Sequence, residues 1–573
     1  MQQQQNFLNK PVEELRHILT AWIDRIYQLS EMKIYDGTLI EVTTIYNNIA
    51  YLFLYLEANE DFSTYDQLKD LRDIVHQDKD LDKRMLRGMK SFKSKHPQLE
   101  KSRIAYIEQL EDRICSKSFT ESNIALEIAK TQFQESVEQL EKVSVDVLGK
   151  LGFGKTLSRH SEYSIINGIK DNQSRSKFIQ YLKSCKLESA ISAAEAFDNL
   201  VSARHFQART AGFDSSLMQF MSKATVNLDE VNSYIYRNIQ EAVKVSKKQA
   251  DVIKQELSVE YFSLDHMGAL IRRRNNSWKA PLFDLQECIE IARKAVVATF
   301  NADLKIEEKG GGDRFITLAV VDDGKVLGRI HLDLWTSDRK RVKQNFTIGL
   351  LNRTSINENF QAPEAYVCCR ISKHQDGHSY LNFQNVHSLY HELGHALNHV
   401  FNQMCVSNLT GLEYLPLERL EVMSMWFEKL VFSHHFANGF SDIELNDIVR
   451  CQEVKKSEYT STVLTKSLVA ALDFECHKMP GIKIYEIFNA FVEKYGISKL
   501  IDFSDLISYF SWPSYMSYPG ANFIYLLGAS RSCEDAVKYG HSESGEYLFD
   551  CLNHDYKFRF PNVTSLYEFY ADN

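Results

Sequence analysis

The chain has 573 residues, 44% hydrophobic and 25% charged, an ordinary globular composition with room for a large core or several domains. A net charge of −9 argues against a nucleic-acid footprint, although a mildly acidic protein can still take basic peptides through its local field. With only 24 glycines and 9 prolines, long stretches run without either, which disfavours an all-β fold and points to a mostly helical one.

The ten cysteines are thinly spread and form no C-x-x-C pair, which suits a reducing compartment better than a disulfide framework. No uninterrupted apolar run reaches the roughly 18 residues of a membrane span. The opening MQQQQN is neither a signal peptide nor an Arg-rich transit peptide.

Residues 1–150 read as successive helices. Leu15, Leu19, Trp22, Ile23 and Ile26 recur at helical spacing, as do Leu52, Tyr55 and Leu56. The Lys/Arg-rich stretch 80–104 is mixed with acids and reads as a solvated helix face. A helix over 121–148 ends near Gly149, Gly152 and Gly154. Residues 151–258 form a second helical region, closing in a long polar helix over 241–260. Residues 259–573 form the third region. Its strand signals lie between about 303 and 371: residues 304–307, residues 314–322, residues 326–334 and residues 365–371. The run Asp322-Asp323-Gly324 makes a hairpin turn. The triple glycine 310–312 lacks the Lys-Ser/Thr of a phosphate loop and reads as a turn.

The stretch 391–395 reads H-E-x-x-H. On a helix, His391 and His395 lie one turn apart on one face and can share a metal ion, with Glu392 able to reach a water at that metal. Imidazole favours zinc, and a catalytic zinc takes three protein ligands plus water. The alternative is an amphipathic core helix that happens to carry histidines. Gly394 costs about 1 kcal/mol relative to Ala inside a helix, so it needs a reason; close packing at a metal site is one. His387 and His399 extend the same row and read as rim or supporting residues.

The third ligand is sought downstream, in an expected helix over 417–428 carrying Glu418, Glu421 and Glu428. Leu420, Val422, Met423 and Met425 surround Glu421, and a carboxylate in so apolar a setting needs a partner such as a metal. Glu421 is therefore read as the third ligand, Glu428 as the carboxylate orienting a histidine, and Glu418 as a surface residue.

Several segments resemble, in order, the thimet oligopeptidase and mitochondrial intermediate peptidase family. Residues 391–398 (HELGHALN) resemble its H-E-[FM]-G-H-x-M-H, and residues 420–424 (LEVMS) its F-[VA]-E-x-P-S, with Glu421 on the ligand. Residues 328–334 (GRIHLDL) resemble a strand that precedes the site. Residues 345–348 (NFTI), with Thr410 and Gly411, lean towards the mitochondrial intermediate peptidase branch. Residues 510–526 resemble the family's tyrosine-rich segment, with Tyr518 and Tyr525 on two of its tyrosines, Asn522 or Phe523 replacing the middle one, and Trp512 or Pro513 where a histidine is expected.

The resemblance implies a mostly α fold: a helical clam-shell with a deep central channel and a small β-sheet beside the H-E-x-x-H helix. It implies a monomeric metalloendopeptidase holding one Zn²⁺ on His391, His395 and Glu421. Glu392 acts as general base, and Tyr525 and Tyr518 as catalytic donors to the oxyanion. The substrate is a peptide or an unfolded precursor protein, and the first expectation is trimming of N-terminal segments in the mitochondrial matrix. A general cytosolic or matrix oligopeptidase is the second. A peptide-binding homologue with weak catalysis is the third, kept open by Trp512, Pro513 and Asn522.

Overall fold

A computed structural model describes residues 8, 10–59, 61–115, 119–150, 169, 171–222, 224–257, 278–307, 315–336, 345–356, 359–372, 379–402, 404, 406–512, 515–516, 518–543 and 560–571. The protein is mostly helical with a small mixed sheet, as the scarcity of turn residues leads one to expect. The boundary expected near 258 and the triple glycine lie outside the described residues, and the boundary expected near 150 falls at their edge. The described residues group into two units, each built from three separate stretches. The first takes residues 1–116, 281–443 and 538–557; the second takes 117–280, 444–537 and 558–573.

The first unit is built around the strands. They are β1 (Phe283–Asp284), β2 (Asp303–Ile306), β3 (Ile316–Asp322), β4 (Lys325–Trp335), β5 (Phe346–Leu351), β6 (Thr354–Ile356), β7 (Asn359–Gln361), β8 (Glu364–Ile371) and β9 (Tyr380–Leu381). Five of them form one sheet in the order β2-β3-β4-β8-β5. All its neighbours are antiparallel except β4 and β8. The hairpin turn is as read from sequence: Asp322 pairs Lys325, and the two loop residues, Asp323 (φ 44°) and Gly324 (φ 78°), both take left-handed backbone. That geometry matches the twist of the flanking strands and favours Asp-Gly. The sequence of β5, Phe-Thr-Ile-Gly-Leu-Leu, shows no apolar–polar alternation.

Side chains of a strand alternate between faces, and here the alternation decides which helices each residue meets. Ile348, Leu350, Tyr366 and Cys368 pack into one core with the N-terminal helices Val12–Glu31, Asp36–Ala58, Phe62–Gln77, Lys79–Lys90 and Pro97–Cys115. The helix carrying the H-E-x-x-H motif, Phe383–Phe401, packs against β4, β5 and β8. The helix Asp36–Ala58 is long and apolar enough, by composition alone, to cross a membrane, and 83% of its most apolar window is buried. A helix that is apolar all round is buried, and this one lies against β5 and its neighbouring helices.

The second unit is helical among its described residues. Phe119–Lys150 packs along Asn172–Thr210, and Leu228–Leu257 along Leu445–Lys478. Residues 523–537, the first part of the helix Phe523–Glu543, and the helix Val563–Ala571 complete it towards the C-terminus.

Candidate metal centre

The helix Phe383–Phe401 starts where the Asn382 side chain accepts from the Asn385 backbone N–H, an N-cap of the usual kind. Its pitch sets His391 and His395 on one face, with ring centroids 4.9 Å apart. Glu421 meets them: its Oε2 lies 3.6 Å from His391 Nε2 and 3.5 Å from His395 Nε2. The three ligand atoms fall within 4.8 Å of one another. Ligand bonds of about 2.0–2.2 Å in tetrahedral array put neighbouring donor atoms roughly 3.3–3.6 Å apart. The two histidines and the glutamate fit a zinc ion in donor type, and Glu421 lies at that spacing from each histidine.

Glycine makes this approach possible. A Cβ on Gly394 would sit 2.6 Å from Ser424 Cα and 2.8 Å from the Met423 carbonyl oxygen. The motif helix thus lies directly on the backbone of the next segment, which delivers Glu421. That is the reason its sequence position called for.

The local structure around Glu421 differs from the helix expected over 417–428. Leu417–Arg419 is a short 3-10 turn that follows Pro416, and the α-helix runs only over Val422–Glu428. Glu421 stands just ahead of it, where the Ser424 hydroxyl donates to its Oε2 at 2.9 Å. Glu418 is not a surface residue: it is 1% exposed, because the tight turn folds it inward.

Glu428 supports the site from behind. His391 Nδ1 donates to Glu428 Oε2 at 2.9 Å, which leaves Nε2 facing Glu421. Lys429, itself fully buried, donates to Glu428 Oε1 at 2.8 Å, and His387 lies 3.8 Å from the same oxygen. Burial opposes charge on this carboxylate, yet Lys429, His387 and His391 hold it well below the usual range. Burial likewise opposes charge on Glu421, and His395, His391 and Ser424 outweigh it, so its pKa is lowered. In the metal-free protein His391 is pushed up to about 9: burial acts against the cation, and the hydrogen bond from Nδ1 to Glu428 overcomes it.

His399 is not a rim residue. It is wholly buried, its Nε2 is 2.8 Å from the Leu351 carbonyl oxygen, and burial lowers its pKa to about 4. Glu392 is also buried, and its Oε2 accepts from the Thr347 hydroxyl at 2.7 Å. Thr347, Ser424 and Lys429 are site residues that spacing did not reveal. Thr347 and Ser424 fall inside segments quoted for the family resemblance, but neither had a role attached.

His391, Glu392, His395, Glu421 and Glu428 all belong to the first unit; Tyr518 and Tyr525 belong to the second. Both tyrosines are half-buried, Tyr525 in the first turn of Phe523–Glu543. Asn522 and Phe523, the two residues at the middle tyrosine's place, are both buried. Asn522 holds the loop: its amide donates to Asp473 Oδ2 at 2.7 Å and to the Tyr515 carbonyl oxygen at 3.1 Å. Trp512 is 45% exposed and lies with its ring 4.8 Å from that of Tyr509. Pro513 lies outside the described residues.

The model of Peptidase family M3 matches residues 168–500, more than half of the chain, including all three candidate ligands. The chain belongs to peptidase family M3. Oligopeptidase A of Haemophilus influenzae is 22% identical over 218 residues, covering 35% of this chain and 31% of that protein. A protein of Arabidopsis thaliana named "Probable thimet oligopeptidase" is 29% identical over 159 residues, 26% of this chain and 22% of that one. Each of these matches thus spans less than a third of the relative's own length. The solved structure "PZ peptidase A with inhibitor 2" has a TM-score of 0.56 at 13% identity, covering 99% of this chain and 94% of that one. At that identity it shows a shared fold, and the M3 assignment rests on the family match.

Proposed function

We propose that this M3 chain is a zinc-dependent metalloendopeptidase that hydrolyses peptide bonds in short or unfolded peptides. The observation that carries it is the convergence of His391, His395 and Glu421 within reach of one ion, with Glu392 next in the chain to the first ligand. A zinc ion there supplies Lewis acidity, lowering the pKa of water to about 7 and polarising a carbonyl. Glu392 takes the proton of the attacking water and passes it to the leaving amine. Glu428 holds the His391 ring in the orientation that presents Nε2. Tyr525 and Tyr518, carried over from the family resemblance, donate hydrogen bonds to the developing oxyanion.

The matched relatives bear oligopeptidase names, which favours general turnover of short peptides. A second reading is trimming of N-terminal segments from imported precursors in the mitochondrial matrix. It is supported by residues 345–348 together with Thr410 and Gly411, which resemble that branch.

The test uses purified wild type and Glu392→Gln. Bound zinc is measured, and both are incubated with a mixed library of short peptides read by mass spectrometry. About one zinc in each, with cleavage by the wild type alone, is expected. Cuts clustered near substrate N-termini would favour precursor trimming. Zinc without any cleavage would turn the reading to a peptide-binding homologue, and no bound zinc would end it.

A further inference from the structure

Thr347 is the second residue of β5, an edge strand of the five-stranded sheet. Its backbone pairs with Val367 of β8. Its neighbours Phe346 and Ile348 face the N-terminal helices, so the alternation of the strand turns Thr347 to the opposite face. The motif helix lies on that face. The Thr347 hydroxyl sits 2.7 Å from Glu392 Oε2 and 3.0 Å from the Glu392 carbonyl oxygen. A hydroxyl has one proton to give. The carbonyl oxygen already faces the helix's own hydrogen-bond ladder, and a bond to a carboxylate is shorter and stronger than one to a neutral acceptor. The proton therefore goes to Oε2.

We propose that Thr347 is a positioning residue for the base of the reaction: its hydroxyl pins one oxygen of Glu392 and so aims the other, Oε1, at the attacking water. The inference rests on the peptidase reading. A glutamate has three rotatable side-chain bonds, and free rotation would spread its carboxylate over positions of which few reach the water. The hydrogen bond from the Thr347 hydroxyl to Oε2 fixes the carboxylate against the strand. The strand thereby contributes to the chemistry through a side chain 45 residues from Glu392 in sequence.

The experiment compares Thr347→Val and Thr347→Ser with wild type and Glu392→Gln. Valine keeps the branched shape and the strand preference while removing the donor; serine keeps the donor. Misplacing a reacting group by about 1 Å costs about a hundredfold. Thr347→Val is therefore expected to lose about ten- to a hundredfold in kcat, with little change in KM, zinc stoichiometry or melting temperature. Thr347→Ser is expected to recover most of that loss. A crystal structure of metal-free Thr347→Val is expected to show the Glu392 carboxylate displaced from its wild-type place. An unchanged kcat in Thr347→Val, a serine variant as slow as the valine one, or an undisplaced Glu392 would each overturn the inference. If instead the wild type fails to cleave, or Glu392→Gln cleaves as well as it does, the peptidase reading itself falls, and this inference with it.

Discussion

At the scale of single residues, the site is a chain of hydrogen bonds running away from the three candidate ligands. Glu428 is the centre of that chain, because it accepts from His391 and from the buried Lys429 at once. Replacing Glu428 with Gln removes the charge that fixes the His391 tautomer. Zinc affinity is expected to fall about 10–100-fold; competition with a fluorescent chelator measures it directly. The H-E-x-x-H pair and Glu421 were legible in the sequence, the pair from spacing and the glutamate from its apolar neighbours. Thr347 was not, since a threonine in an unpatterned strand carries no local sign of which helix it will meet. The inward turn of Glu418 was equally hidden, because Pro416 starts a 3-10 turn where the helical pattern runs on unbroken.

At the scale of elements, the motif helix does two tasks with one run of residues. One part carries two of the candidate ligands, His391 and His395; further along, His399 is buried against the Leu351 carbonyl oxygen of β5. Burial lowers the pKa of His399 from about 6.5 to about 4. Between these values the unfolded chain binds a proton that the folded chain refuses, so stability falls as pH falls from 6.5 towards 4 and is intact above 6.5. The shift corresponds to about 3 kcal/mol. In metal-free protein, urea midpoints taken across that range should drop with pH, and His399→Gln should flatten the slope. A slope unchanged by the substitution would assign the acid sensitivity to other groups. The hairpin β3–β4 was readable because Asp-Gly chemistry is local. The extent of Val422–Glu428 was not, because its start is decided by the preceding turn.

At the scale of the whole molecule, the family match covers parts of both units, while the candidate ligands and the two candidate tyrosines belong to different ones. If Tyr525 donates to the oxyanion, Tyr525→Phe should lower kcat about 10²–10³-fold and leave bound zinc unchanged. Assaying both on one preparation separates that role from plain aromatic packing, in which kcat would hold.

By itself the sequence determined the helical class, the hairpin, the helix that carries two histidines on one face, and the carboxylate to look for downstream. These depend on periodicity, turn chemistry and local apolar context, all of which act over a few residues. Only the tertiary structure decided that Gly394 brings the Glu421 segment against that helix, that β5 turns Thr347 to Glu392, and that Glu428 has Lys429 as well as His391. Those are contacts between chain segments whose meeting depends on side-chain fit across an interface, and no period along the chain records them.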